Sequence, residues 1–120
     1  MIFIIDDDEI MAECVARAIK KDTKIFHNAI EAMNALDDGL PEMIFLDILL
    51  DGPDGFTFLN ELMSYQDTAK IPVVIITSLD INVEKMRDYG VVGVIKKEEM
   101  TPSQIKKYVA DYCGEGNDGN

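Results

Sequence analysis

The strongest constraint on this chain is the alternation of short, unbroken apolar runs with amphipathic stretches. Four runs, IFII (2–5), MIFL (43–46), VVII (73–76) and VVGVI (91–95), are too short for buried helices and mostly rich in β-branched residues. Continuous apolar character over four or five residues suits strands covered on both faces, not strands with one wet face. KIFH (24–27) reads as a weaker fifth strand with the mixed character of a sheet edge.

Helical periodicity fills the gaps. Ile10, Met11, Cys14, Val15, Ala18 and Ile19 form one apolar stripe, and Ile30, Met33 and Leu36 with the alanines between them form a second. Phe56, Leu59, Leu62 and Met63 form a third, and Val83, Met86 and Tyr89 a short fourth. The last helix runs over about residues 102–112 through Ile105, Tyr108 and Val109. Its start is well marked: Thr101 is a good N-cap, Pro102 suits the first helical position, and Gln104 completes a capping box. Strand then helix, five times over, predicts an α/β fold with a parallel sheet and helices on both faces. The most economical arrangement is a doubly wound, five-stranded sheet of order 2-1-3-4-5, the flavodoxin-like (βα)5 plan.

The chain has 120 residues, the size of one ordinary domain. Residues 1–113 are expected to form it. The polar, glycine-rich stretch 114–120 reads as a flexible tail or the start of a cut linker. Hydrophobic residues at 48% and charged residues at 28% mark a globular chain, not a disordered one. A net charge of −12 argues against direct contact with nucleic acid or anionic membrane, and favours cations or a partner with a basic surface. Cys14 and Cys113 show no metal-ligand spacing and read as two reduced thiols. With no basic-flanked leader and no apolar run of membrane length, a cytoplasmic protein is expected.

In an open α/β sheet, ligands bind beyond the carboxyl ends of the strands, where the strand order reverses. The first strand ends in Asp6-Asp7-Asp8, the third in Asp47, the fourth in Thr77-Ser78 and the fifth in Lys96-Lys97. Carboxylates, a hydroxyl and an ammonium are thus expected on one sheet edge. Three like charges after a buried run are costly, and a bound cation is the simplest compensation. Clustered carboxylates suit Mg²⁺, a hard cation that keeps several waters and favours carboxylate and phosphate ligands. Without the ion the carboxylates should titrate together, with at least one pKa raised. A carboxylate beside the ion can attack phosphorus, a threonine hydroxyl can donate to a phosphoryl oxygen, and a lysine can pair with the same group.

These residues resemble the response-regulator receiver (CheY-like) domain of two-component signalling. The matching stretches are IFIIDDDE, HNAIEAM, PEMIFLDILLDGPDGFTFL, VVIITS and YGVVGVIKKE, across about residues 2–112. The resemblance implies that Asp47 is the phospho-acceptor. It implies that Asp6 and Asp7, with Asp47 and the backbone carbonyl of Leu49, hold Mg²⁺ or Mn²⁺. Thr77 would be the switch hydroxyl and Lys97 the phosphoryl-binding lysine. Aligning Gly90 and Gly93 with the small residues before the family's lysine selects Lys97; a one-residue slip would select Lys96. The implied donor is a phosphohistidine on a sensor histidine kinase or phosphotransfer protein, or a small phosphodonor. The implied readout face is the fourth helix, fifth strand and fifth helix, about residues 81–112. That face would bind a downstream partner, an effector domain not in this sequence, or a second copy as a dimer.

The sequence departs from the family at several points. Glu98 stands where receivers commonly have proline after the lysine, and a cis bond is not expected without it. Asp51 replaces the usual proline four residues after the acceptor, with Pro53 two residues on. Val94 takes the fifth-strand position of the family's switch aromatic. Leu49 and Leu79 occupy the two positions that tune phosphoryl lifetime, and neither can orient a water, so slow self-dephosphorylation is expected.

Two other functions fit parts of the pattern. A haloacid-dehalogenase-like phosphatase would use Asp6 as nucleophile and Asp8 as acid/base, but would leave Asp47 without a purpose. A receiver fold could also serve as an interaction module without phosphorylation. Asp8 suits an N-cap, Asp54-Gly55 a turn into a helix, and lone His27 a structural role. The seven methionines read as packing residues.

Overall fold

The computed structural model describes residues 1–50, 52 and 54–114; Asp51, Pro53 and the predicted tail beyond Gly114 lie outside the described residues. The strands are β1 (Ile2–Ile5), β2 (Thr23–Phe26), β3 (Met43–Leu46), β4 (Val73–Thr77) and β5 (Val91–Lys96). The helices are α1 (Glu9–Ala18), α2 (Ala29–Leu36), α3 (Gly55–Met63), α4 (Val83–Met86) and α5 (Pro102–Cys113). All strand pairs are parallel and the order is β2-β1-β3-β4-β5, as the alternating runs predict.

Each central strand buries both faces, which is why its sequence is continuously apolar. Phe3, Ile5, Ile44, Leu46, Val73 and Ile75 face one layer, closed by Ala29 and Ala32 of α2, Phe58, Leu59 and Leu62 of α3, and Met86 of α4. Ile2, Ile4, Met43, Phe45, Val74 and Ile76 face the other, closed by Ala12, Val15 and Ala18 of α1 and Ile105 and Val109 of α5. β2 is the edge, and only Phe26 of it is fully buried.

Several expectations need correction. On α1, Val15 and Ala18 are buried as expected and Ala12 joins them, while Ile10 is 79% exposed and Cys14 lies outside. Small residues on this face let α1 approach the sheet beside α5, and the bulky Ile10 in the first turn is left over. In α3 Leu59 and Leu62 are buried as expected and Phe58 joins them, while Phe56 and Met63 are exposed. β2 starts and ends one residue earlier than expected, whereas β4 and β5 run on to include Thr77 and Lys96. α4 is a single turn continued by a 3-10 turn over Arg87–Tyr89, which ends at Gly90 with φ +81°. Met43 and Met86 are buried and Met33 and Met100 pack against the core from its margin, while Met1 and Met63 are exposed. The capping box of Thr101 and Gln104 forms as the sequence indicates. No described helix is long and apolar enough to cross a membrane.

Candidate functional site

Register brings the acidic residues together. Ile5 of β1 pairs with Leu46 of β3, so the next residues, Asp6 and Asp47, leave adjacent strands side by side. The amide of Asp47 donates to the carbonyl of Ile5 at 2.9 Å, and the amide of Asp6 to that of Phe26 at 3.0 Å. Each carboxylate is then fixed by a backbone N–H two residues on: Asp8 donates to Asp6 Oδ1 at 2.9 Å, and Leu49 to Asp47 Oδ1 at 3.0 Å. Both carboxylates are buried at 3% exposure, whereas Asp7 is exposed at the rim.

Carboxylate oxygens of Asp6, Asp7 and Asp47 all lie within 4.8 Å of one another. Burial pushes the Asp6 carboxyl up to about 6, helped by the charge of Asp47 and opposed by the Asp8 amide and Lys97. Desolvation is the main cause of this rise, and the neighbouring carboxylate adds a smaller part. Three converging hard-oxygen donors, one of them held short of full ionisation at neutral pH, fit a divalent cation such as Mg²⁺.

Lys97 Nζ lies 2.8 Å from Asp47 Oδ2 and 3.3 Å from Asp6 Oδ1. Burial pulls its pKa down, but the hydrogen bond to Asp47 and the charges of both carboxylates outweigh that and raise it. Lys96 faces away, 2.8 Å from Asp80 and 3.9 Å from Glu98. Lys97 therefore shares the pocket with Asp6 and Asp47, and Lys96 does not. A 3-10 turn over Lys97–Glu99 follows β5, and the peptide into Glu98 is trans.

Thr77 ends β4, fully buried and opposite Lys96 in the ladder. Its hydroxyl accepts from the Leu79 amide at 3.4 Å, so it is on the same sheet edge but turned to its own loop. Leu49 and Leu79 are exposed, at 48% and 37%, and their backbone amides donate to Asp47 and Thr77. Asp8 does not join the carboxylate group; its side chain caps α1 by accepting from the Met11 amide at 3.1 Å. That placement leaves the phosphatase reading without its acid/base. Gly55 packs so tightly that an added Cβ would come 2.6 Å from Ile48 Cα and 2.8 Å from the Asp47 carbonyl.

Val94 is half-buried on β5 and lines a surface groove of ≈ 730 Å³ between α4 and α5. No ring stands at Val94, but Tyr108 of α5 crosses β5 at the neighbouring Gly93, where a Cβ would overlap the phenol. Sequence reasoning missed this contact. The signal was a glycine inside a strand, which marks close approach of another group.

Comparison with known proteins finds a family match and relatives of the same fold. Residues 2–110 match the response regulator receiver domain family. The response regulator PleD of Caulobacter vibrioides is 37% identical over 84 residues, covering 66% of this chain and 18% of PleD. The chain therefore spans a small part of that curated relative. Among solved structures, the receiver domain of NtrX from Brucella abortus superposes with a TM-score of 0.79 at 26% identity, covering 98% of this chain and 100% of that one. A two-component response regulator from Clostridium difficile shares the fold at a TM-score of 0.81 and 19% identity, with 98% of each chain covered.

Proposed function

The chain belongs to the response regulator receiver family, and from that membership we propose that it is a phosphoacceptor switch acting through Asp47. The observation that carries the reading is the convergence of Asp6, Asp7, Asp47 and Lys97 on one sheet edge, with Asp47 buried and paired to Lys97. The donor is a phosphohistidine of a sensor kinase or phosphotransfer protein, or a small acyl phosphate. A carboxylate oxygen of Asp47 forms a bond to phosphorus, and the bond from phosphorus to the donor breaks. The electron pair leaves with the imidazole or the carboxylate.

Asp6, Asp7, Asp47 and the Leu49 carbonyl are the residues that would hold Mg²⁺ or Mn²⁺. An ion held there would supply positive charge to offset that of the phosphoryl oxygens. Lys97, already on Asp47, stays as the point charge beside the transferred group. The Thr77 hydroxyl turns from the Leu79 amide toward the new phosphoryl oxygens and carries its loop with it. Phosphorylation adds about −1.5 to −2 charges, which biases a two-state rearrangement of the α4–β5–α5 face around Val94. Output then follows through a partner, a further domain, or dimerisation on that face. We place the receiver at residues 1–113, with 114–120 as a tail or linker, working in the cytoplasm. Its net charge of −12 sets it against direct contact with nucleic acid or membrane.

The test is labelling with radioactive acetyl phosphate. A Mg²⁺-dependent label released by hydroxylamine, as an acyl phosphate must be, supports the switch. A protein that takes no label from acetyl phosphate or from a phosphorylated kinase is an interaction module instead.

A further inference from the structure

His27, the chain's one histidine, occupies a position matched to the two buried carboxylates. Ile5 pairs with Phe26 on one side and with Leu46 on the other. The residues one step beyond these partners are His27, Asp6 and Asp47, side by side across three strand ends. His27 Nδ1 lies 3.2 Å from the backbone carbonyl of Asp6. A carbonyl only accepts, so Nδ1 carries the proton and donates. Nε2 faces the Glu9 carboxylate at 3.9 Å. The ring thus ties the end of β2 to the residue that leaves β1.

From that attachment the chain runs through Asp7 and Asp8 to the start of α1 at Glu9. On its inner side it is held by the Asp8 amide on Asp6 Oδ1 and by the Asp8 cap on α1. Toward β2 it is held by the Asp6 amide, which donates to the Phe26 carbonyl, and by His27 Nδ1, which donates to the Asp6 carbonyl. Asp7, the exposed member of the carboxylate group, sits in the middle and makes no described side-chain hydrogen bond or ion pair of its own. Its place near Asp6 and Asp47 depends on the backbone of this turn. We propose that His27 is a positioning residue for the cation site, fixing the turn so that the Asp7 carboxylate is presented to the metal; this rests on the metal reading above. Groups that hold ligands in place commonly matter for affinity almost as much as the ligands do.

The test is calorimetric titration of the protein with Mg²⁺, alongside thermal melts of the metal-free forms. His27→Leu removes the donor while keeping bulk. His27→Asn keeps an N–H donor where Nδ1 stood. The expected result is that His27→Leu weakens Mg²⁺ binding roughly tenfold and His27→Asn restores most of the loss. Equal Mg²⁺ affinity in His27→Leu and wild type, with only a lower melting temperature, overturns the proposal and leaves a structural histidine. Equal losses in both variants overturn the hydrogen bond as its basis. A wild-type protein that takes no Mg²⁺ overturns the metal reading, and the role of His27 with it.

Discussion

Lys97 Nζ lies 2.8 Å from Asp47 Oδ2, while its neighbour Lys96 lies 2.8 Å from Asp80 on the other side of the strand end. Two adjacent lysines of the same charge therefore have different surroundings, and the account assigns them different weight. Replacing Lys97 with Met removes a charge-assisted hydrogen bond from a buried carboxylate, an interaction worth roughly 1.5–3 kcal/mol. Phosphorylation of Asp47 by a small donor should slow by roughly ten- to a hundredfold. The Asp6 carboxyl should rise further, because Lys97 now holds it down. Lys96→Met should leave the initial rate unchanged. Stopped-time phosphorylation assays and carboxyl NMR titration check both.

Asp6 gives a pH dependence opposite in sign to that of an ordinary salt-bridged aspartate. Its carboxyl is raised from 3.8 to about 6 in the folded chain, mainly by burial. Between those values the folded protein keeps a proton that the unfolded chain has released. Stability of the metal-free protein should therefore fall as pH rises through this window, by at most about 3 kcal/mol. Asp6→Asn should be more stable than wild type at neutral pH without metal, and the gain should vanish below about pH 4. Urea unfolding at both pH values measures this. Added Mg²⁺ should reverse the order at neutral pH, since only the wild type gains a ligand.

Leu49 and Leu79 rim the site without a polar atom to hold an attacking water. Leu49→Asn and Leu79→Glu should each shorten the life of the phosphorylated form. The decay rate after donor removal tests this, and unchanged decay in both variants removes these leucines from the account.

Gly55 tests the support beneath Asp47. A methyl there would crowd Ile48 Cα at 2.6 Å and the Asp47 carbonyl at 2.8 Å. Gly55→Ala should cost about 1–3 kcal/mol of stability and slow phosphorylation as well, because the atoms that must give way carry the acceptor. Thermal melts and phosphorylation rates should move together.

Much of this was legible in the sequence because it depends on backbone register. The continuous apolar runs required strands covered on both faces, and the strand ends then placed Asp6, Asp47, Thr77 and the lysine pair on one edge. Helix faces were less legible. Ala12 carries little hydrophobic signal beside Ile10, yet close approach to the sheet selects the small residue. Phe58 was hidden in the same way by Phe56, one of two phenylalanines a turn fraction apart. The hydrogen bond of His27 to Asp6 and the crossing of Tyr108 over Gly93 join residues 21 and 15 positions apart in sequence. The glycine inside β5 hints at the second contact, but the partners themselves follow from which elements become neighbours.

The central claim is that Asp47 accepts a phosphoryl group with the help of a divalent cation. Intact mass after incubation with acetyl phosphate, with Mg²⁺ or with chelator, beside Asp47→Asn, tests it most directly. The account predicts one added phosphoryl group on the wild type with Mg²⁺, and none with chelator or in the variant. Modification that persists in Asp47→Asn, or that needs no divalent cation, would contradict it.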